Sequence, residues 1–279
     1  MNIDFSIEEA VRKRYSVRNY SEQELEEDVK NEMEVFIQSL NNPFGQKVNF
    51  HYLEIENVKN EKLGTYGVIK GAKQYIGTTI KLEKLSLEAL GYELETLMLY
   101  LANIDIGTCW LGGTFNRKGF ADAMNIEEGE IFPAITPYGY AAKKKHIKEI
   151  AMRKMIVADK RKSWDQLFYK DNFESPLTEI ESEDLEFALE MVRLGPSASN
   201  KQPWRILLKD NSCHFYEYKE PGYTDSFPYD IQRIDMGIAA AHFDFAVKEK
   251  NIKGNFQPNL EPELKLPENM EYVFSWIRE

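Results

Sequence analysis

The chain has 279 residues, enough for one large domain or two small ones around a substantial core. It is 43% hydrophobic and 29% charged, and its formal net charge of -11 excludes nucleic acid and anionic membranes as general partners, because like charges repel. Any local cluster of Lys and Arg therefore works against the overall field and is informative. Cys109 and Cys213 make neither a disulfide framework nor a metal-ligand spacing, and the four histidines form no paired motif, so no metal site is expected. With no apolar signal core at the N-terminus and no apolar run of bilayer length, the expected location is cytoplasmic.

In chain order, residues 5–15 place Ile7, Ala10 and Val11 at helical spacing. Residues 21–40 open with a capping-box pattern, Ser21 and Glu24, and continue through Met33, Phe36, Ile37 and Leu40 before Pro43 breaks the helix. Residues 48–55 alternate and read as a strand, and residues 75–82 as a second. Residues 86–104 form a helix so apolar that it must be buried, ending in a glycine-rich turn at 107–113 (GTCWLGG). Residues 132–141 read as a strand that its prolines place near a sheet edge. A charged helix is expected from about His146 to Val157. The pattern then starts again: a helix over 183–194, strands over 204–208 and 214–218, and a second long apolar helix over 234–250. The acidic tail from Pro258 carries no motif, although Phe274 and Trp276 can pack back onto the body or over a site.

Laid on itself, the chain matches at two spacings. Leu40 meets Leu194 and Phe50 meets Trp204, both 154 apart; Gly91 meets Gly237 and Trp110 meets Phe256, both 146 apart. An internal two-fold repeat lets one chain do what a symmetric dimer does elsewhere, although helix-strand-helix units also recur by chance.

Three clusters carry chemistry. Arg14, Ser16 and Arg18 stand at alternate positions, a spacing that aims two guanidiniums and a hydroxyl at one phosphate; a solvated basic stretch looks the same in sequence. Residues 196–204 (PSASNKQPW) offer small residues that allow close backbone approach, and amides on Asn200 and Gln202 suited to a donor–acceptor heterocycle; an ordinary helix-to-strand turn shares this composition. The turn at 107–113 exposes backbone N–H groups at Gly112 and Gly113, or merely ends a helix. Cys109, with no cation beside it in sequence, reads as a packing residue.

Together RYSVRNY (14–20), IGTCWLGG (106–113), TPYGY (136–140) and PSASNKQPW (196–204) resemble the FMN-dependent nitroreductase family, and in their unusual order its tandem-duplicated Thermotoga-type branch. The resemblance implies an α+β fold of two pseudo-symmetric halves, residues 1–165 and 166–279. Each half would hold a mixed or antiparallel sheet flanked by helices and one long buried helix. It implies FMN bound between the halves. Arg14, Tyr15, Ser16, Arg18, Lys70, Leu111, Gly112, Gly113 and Arg161 would come from the first half, and Pro196, Ser197, Ala198 and Asn200 from the second. The N–H of Gly112 would face flavin N5.

The opposite site is expected to be degenerate. Phe168, Lys170 and Asn172 stand 154 positions after Arg14, Ser16 and Arg18, and residues 41–47 stand where the PSASN segment would be. One FMN per chain is therefore expected. By the same resemblance, NAD(P)H is the co-substrate and a nitro or quinone-type small molecule the acceptor, in a ping-pong cycle with no catalytic side chain. Dehalogenation, flavin fragmentation, or flavin binding without efficient turnover are the alternatives on the same fold. A monomer is expected, because fusion already satisfies the dimer interface.

Overall fold

The computed structural model describes residues 3–55, 63–143 and 160–279. The charged helix expected at 146–157 lies outside these. Helix α1 (Ile7–Lys13) is capped by the Ser6 hydroxyl and buries Ile7, Ala10 and Val11. Helix α2 (Glu27–Ser39) begins six residues later than its capping-box pattern predicted. The reason is tertiary: Tyr20 bridges to Ala141 and Ser21 N–H donates to Tyr140 O, so the chain is held extended there. The Ser21 hydroxyl takes the N–H of Gln23 instead.

Strands β1 (Asn49–Glu54) and β2 (Gln74–Ile80) pair antiparallel, followed by the buried helix α3 (Ser86–Asn103), the short β3 (Gly107–Thr108), α4 (Arg117–Ala123) and β4 (Ile131–Gly139). The sheet order is β1-β2-β4-β3. β4 is thus interior, not at the edge its prolines suggested. The sheet tolerates them for two local reasons. Pro133 falls in the register shift between the Thr78 and Ile80 pairings. Pro137 lies two residues from Ile135, whose N–H donates to Leu111 O, so its missing donor falls on the side where β3 is only two residues long.

The second sheet contains β5 (Phe168–Lys170), which follows the one-turn helix α5 (Trp164–Leu167), then β6 (Asn172–Pro176), β7 (Trp204–Lys209), β8 (Ser212–Tyr218), β9 (Gly254–Gln257) and β10 (Met270–Arg278). Its order is β6-β5-β7-β8-β10-β9. Helices α6 (Glu186–Leu194) and α7 (Gln232–Glu249) complete it. The tail that carried no readable motif is β10, hydrogen-bonded on both sides, with Phe274 and Trp276 buried in the core. Cys109 and Cys213 are buried as well.

Four strands of each sheet follow one plan. β1-β2-β4-β3 and β7-β8-β10-β9 are both antiparallel throughout, and α3 and α7 each occupy the same place in chain order. β1 and β7 have six residues each, β2 and β8 seven, β4 and β10 nine, and α3 and α7 eighteen. The register corrects the first spacing by one residue: Asn49 opposite Thr79 corresponds to Trp204 opposite Glu217. One residue matters in a strand, because it moves every side chain to the other face. The 146-residue spacing of the helices holds, since Ser86 and Gln232 open them and Asn103 and Glu249 close them.

α3 and α7 cross at the centre with their glycines in contact. A Cβ on Gly91 would lie 2.1 Å from Ile234 O, and one on Gly237 would lie 2.0 Å from Glu88 O. The relation is reciprocal, as across a two-fold axis. The N-terminal arm interlocks the halves: α1 joins the core built around Trp204, Phe215 and Phe243, and Ile7 N–H donates to Glu249 Oε2 at 2.7 Å. Among the described residues no helix is long and apolar enough to cross a membrane.

Candidate functional site

A cavity of about 300 Å³ opens where the two halves meet. The first half supplies Ser16, Arg18, Leu111, Gly112 and Gly113; the second supplies Pro196, Ser197 and Ala198. Segments far apart in sequence thus converge on one cavity. The glycine turn is fixed from behind by Arg117, which donates to Phe132 O at 2.7 Å and to Gly112 O at 2.6 Å. A Cβ at position 112 would sit 2.9 Å from Ile231 Cδ1, the end of a flexible side chain in the cavity wall.

The loop at 196–200 is held in unusual backbone geometry. Ser199, Asn200 and Gln202 all have positive φ (48°, 56° and 48°), a conformation that non-glycine residues adopt at a cost of about 1 kcal/mol or more each. Its anchors are visible. Asp235 on α7 accepts the Ala198 N–H, its two carboxyl oxygens lying 3.0 and 3.2 Å from that nitrogen. The Ser197 hydroxyl accepts the Gln202 N–H at 2.8 Å. Asn200 Nδ2 donates to Lys160 O at 2.9 Å, and Arg161 donates to Leu194 O and to Asn200 Oδ1. Asn200, Gln202 and Arg161 therefore stitch the loop to the 160–162 segment, and none of the three lines the cavity. The amides that composition assigned to a heterocycle are used within the protein.

Three further expected residues also stand outside the cavity lining. Tyr15 is 42% exposed and borders a smaller depression on the outer side. Lys70 is exposed, and its backbone pairs with residues 18–20 while Val68 faces the cavity. Arg14 is buried, with Nε 3.5 Å from Glu95 Oε1. Glu95 is a hub: it also accepts from Trp110 Nε1 at 2.7 Å and meets His242 Nε2 at 3.0 Å. His242 Nδ1 faces Met191 O at 2.9 Å, and a carbonyl can only accept, so Nδ1 carries a proton. Arg14, Glu95 and His242 thus form a buried polar triad that spans both halves.

FMN would ask this cavity for a phosphate-binding end and a wall that a flat ring system can approach. Arg14 Nη1 and Arg18 Nε are buried nitrogens with no hydrogen-bond partner, at the motif expected to hold phosphate. Buried guanidinium donors are costly when unpaired, so their availability fits an anion there. The walls from Leu111, Gly112, Ala198, Ile231 and Ile238 are small or apolar and fit the ring. The residues present therefore suit the group.

The pseudo-equivalent place on the other side is filled. Phe44, in the stretch that replaces the PSASN loop, packs against Tyr92, Phe256 and Phe274 with ring centroids 6.4, 5.8 and 5.1 Å away. Tyr92 stands where α7 has Ile238, a cavity-lining residue 146 positions on. A larger open groove of about 1140 Å³ runs along β1, but Glu34, Glu83, Glu93, Glu127 and Glu130 outweigh Lys47 and Lys81 there, which does not suit a phosphate.

Asp235, Arg117, Tyr223, Phe227 and Ile231 escaped the sequence reading. A signal existed for Asp235, since a carboxylate on a helix that is apolar all round has to find a buried partner. Burial pushes its carboxyl up to about 8; the Ala198 N–H opposes this, and the Asp230 and Glu95 charges add to it. The native state thus keeps a proton that an unfolded Asp, with a pKa of about 3.9, releases. Asp235's contribution is present below the unfolded value and is lost as pH rises towards 8. Asp235→Asn should remove that slope. In urea unfolding, the variant should gain on the parent by a few kcal/mol between pH 5 and pH 8, because each tenfold fall in proton concentration costs the protonated native state about 1.4 kcal/mol. A constant difference between the two pH values would show that Asp235 is ionised in the native state.

This architecture, two interlocked α+β halves around a composite cavity, is that of the nitroreductase fold. The chain belongs to the family described as "Putative TM nitroreductase", whose pattern matches residues 6–247. A crystal structure of a "putative nitroreductase" from Thermotoga maritima MSB8 is similar at 20% identity and a TM-score of 0.60, covering 99% of this chain and 95% of that one. A nitroreductase family protein from Clostridium novyi NT aligns with 52% of this chain and 92% of its own, at 18% identity and a TM-score of 0.41. A nitroreductase with bound FMN from Desulfitobacterium hafniense DCB-2 aligns with 50% of this chain and 93% of its own, at 16% identity and a TM-score of 0.40. No curated protein matches.

Proposed function

We propose that the chain is an oxidoreductase that binds one FMN in the composite cavity, uses NAD(P)H as reductant and reduces small nitro or quinone-type acceptors. The observation that carries this is a cavity of about 300 Å³ built by both halves and lined by Arg18, whose buried Nε has no hydrogen-bond partner, as does the buried Nη1 of Arg14 in the same motif. When bound, FMN supplies the hydride chemistry, and the protein supplies position and electrostatics. Arg14, Ser16 and Arg18 would bind the anionic end. Leu111, Gly112, Gly113, Pro196, Ser197 and Ala198 would enclose the ring, and Asp235 would hold the second-half loop in place through Ala198. Lys70, Tyr15, Arg161 and Asn200 would act from outside the cavity, the last two by fixing the loop. In this reading the chain arose by tandem duplication, with halves at 1–165 and 166–279, and works as a cytoplasmic monomer. The aromatic plug at Phe44 supports a single site.

The test is the flavin content of the purified protein, released by heat and identified by chromatography. About one FMN per chain is the expected result, and about two would mean that the Phe44 region opens into a second site. No FMN after incubation with excess cofactor would end the flavin reading. Arg14→Ala with Arg18→Ala should weaken FMN binding by a few kcal/mol, taking about 1.5–3 for each charge-assisted bond lost. An unchanged Kd in fluorescence titration would remove these residues from the phosphate end.

A further inference from the structure

The cavity walls carry hydroxyls, backbone amides and apolar surface, but a single carboxyl. Of the side chains that line it, Arg18, Tyr223 and Asp235 are ionisable. A guanidinium does not give up its proton in a protein. Burial raises the Tyr223 phenol above its ordinary value, and its hydroxyl is already donated to Ser199 Oγ at 3.0 Å. Asp235 is left as the group that can release a proton near neutral pH.

Asp235 stands in the first turn of α7 and is 3% exposed. The Ala198 N–H donates to it, and among the described residues no ion pair reaches it. Arg233, two residues earlier, turns away to Glu88, Glu217 and Glu271. The charges that bear on Asp235 are Asp230, ahead of the helix, and Glu95 on α3; both add to burial in holding the proton on, against the Ala198 N–H. Arg18 lies across the cavity.

An anchor for the loop need not be an acid. In the first half the residue 146 positions earlier is Ala89. The loop at 41–47 is held instead by a neutral amide: Asn42 Oδ1 accepts the N–H groups of Phe44 and Gln46 at 3.1 and 3.4 Å. The acid is thus present on the long helix that faces the open cavity and missing from the one beside the Phe44 plug.

We infer that Asp235 is a catalytic acid, giving the acceptor the proton that accompanies each hydride. The inference rests on the flavin reading above and adds a catalytic side chain to that site. Atoms and electrons balance. A quinone takes the hydride with its electron pair; the Asp235 O–H bond breaks as a new O–H bond forms on the quinone oxygen, and the product is the quinol. A nitro group that takes one hydride and one proton becomes a nitroso group and water. The carboxylate left on Asp235 keeps the Ala198 N–H and lies at the positive end of the α7 dipole, both of which favour the anion. It takes its next proton from solvent. A proton donor that titrates near the working pH is the kind that serves general acid catalysis best.

The experiment uses full-length protein loaded with FMN, as parent and as Asp235→Asn. Asparagine keeps an oxygen for the Ala198 N–H but has no acidic proton, so a merely structural role leaves the kinetics unmoved. Four quantities are read: the Kd for FMN by fluorescence; the rate at which NADPH bleaches the bound flavin; the rate at which menadione restores its colour, from pH 6 to pH 9.5; and, on flavin-free protein at pH 7, the infrared band of a protonated carboxyl that differs between parent and variant. Asp235→Asn should leave the FMN Kd and the bleaching rate within about twofold and slow the menadione step about a hundredfold or more. The parent's menadione step should fall as pH rises through about 8, where the acid form is lost, and the variant's should stay low and level. An unslowed variant, or a slowed one with the parent's pH dependence, would overturn the assignment. So would a loss confined to FMN binding, or a parent without the carboxyl band at pH 7. If the parent binds no FMN, the flavin reading fails and the catalytic role with it; FMN binding with an indifferent menadione step sinks the role of Asp235 alone.

Discussion

Gly237→Val should abolish the cooperative folding of the chain or lower its stability by more than about 3 kcal/mol, the upper part of the range for overpacking a core. The Cβ alone would stand 2.0 Å from Glu88 O and 2.8 Å from Tyr92 N, and both obstacles are backbone of a buried helix. A flexible side chain could turn away, whereas helix α3 can only be pushed off its partner. The smaller change Gly237→Ala is diagnostic. In an isolated helix, replacing Gly by Ala gains about 1 kcal/mol. Here it should cost stability, because the helix–helix distance is set by the absence of that carbon. Gly91→Ala should behave alike, since its Cβ would meet Ile234 O at 2.1 Å. The double variant should cost less than the two single losses added, because one separation of the helices relieves both clashes. Thermal denaturation of the three variants decides it. A stabilised Gly237→Ala would mean that the helices are not in contact at this point.

Glu95→Ala should be the second large loss, about 3–5 kcal/mol. Glu95 is fully buried between Arg14, Trp110 and His242, so its removal strands a buried guanidinium without a counter-charge. At roughly 2–4 °C per kcal/mol in a chain of this size, the melting temperature should fall by at least about 6 °C. Glu95→Gln keeps a side-chain oxygen that can accept from Trp110 Nε1 while deleting the charge, so it should fall between parent and alanine variant. A melting temperature within about one degree of the parent's for Glu95→Ala would show that Arg14 finds another anion or water. That result would also weaken the view of Arg14 as pre-positioned by the triad. With the Arg14→Ala and Arg18→Ala titration, this experiment separates the structural contact of Arg14 with Glu95 from the anion-binding role proposed for its Nη1.

Much of this protein is legible in its sequence, for reasons of periodicity and local chemistry. The apolar stripe at Leu90, Leu94, Leu97, Met98 and Leu101 determines a buried helix wherever it occurs, and the spacing of Gly91 and Gly237 marks the crossing because only glycine permits backbones so close. The convergence of Ser16, Arg18, Gly112 and Ala198 could be expected from the motifs and their resemblance alone. Other features depend on contacts between distant segments, and no local pattern encodes them. Helix α2 starts late because Tyr20 and Ser21 are claimed by residues 140 and 141. β4 is interior despite two prolines because β3 is short and a bulge absorbs Pro133. β10 went unread because its alternation is blurred by burial on both faces, where it runs between β8 and β9. Arg14 turns to Glu95, Asn200 and Arg161 turn to each other's segments, and Asp235 comes up beneath Ala198. Sequence determined which residues carry charge, amide or glycine, because those are properties of the residue. Tertiary structure decided which of them remain unpaired at the cavity, because pairing depends on which buried neighbours the fold supplies.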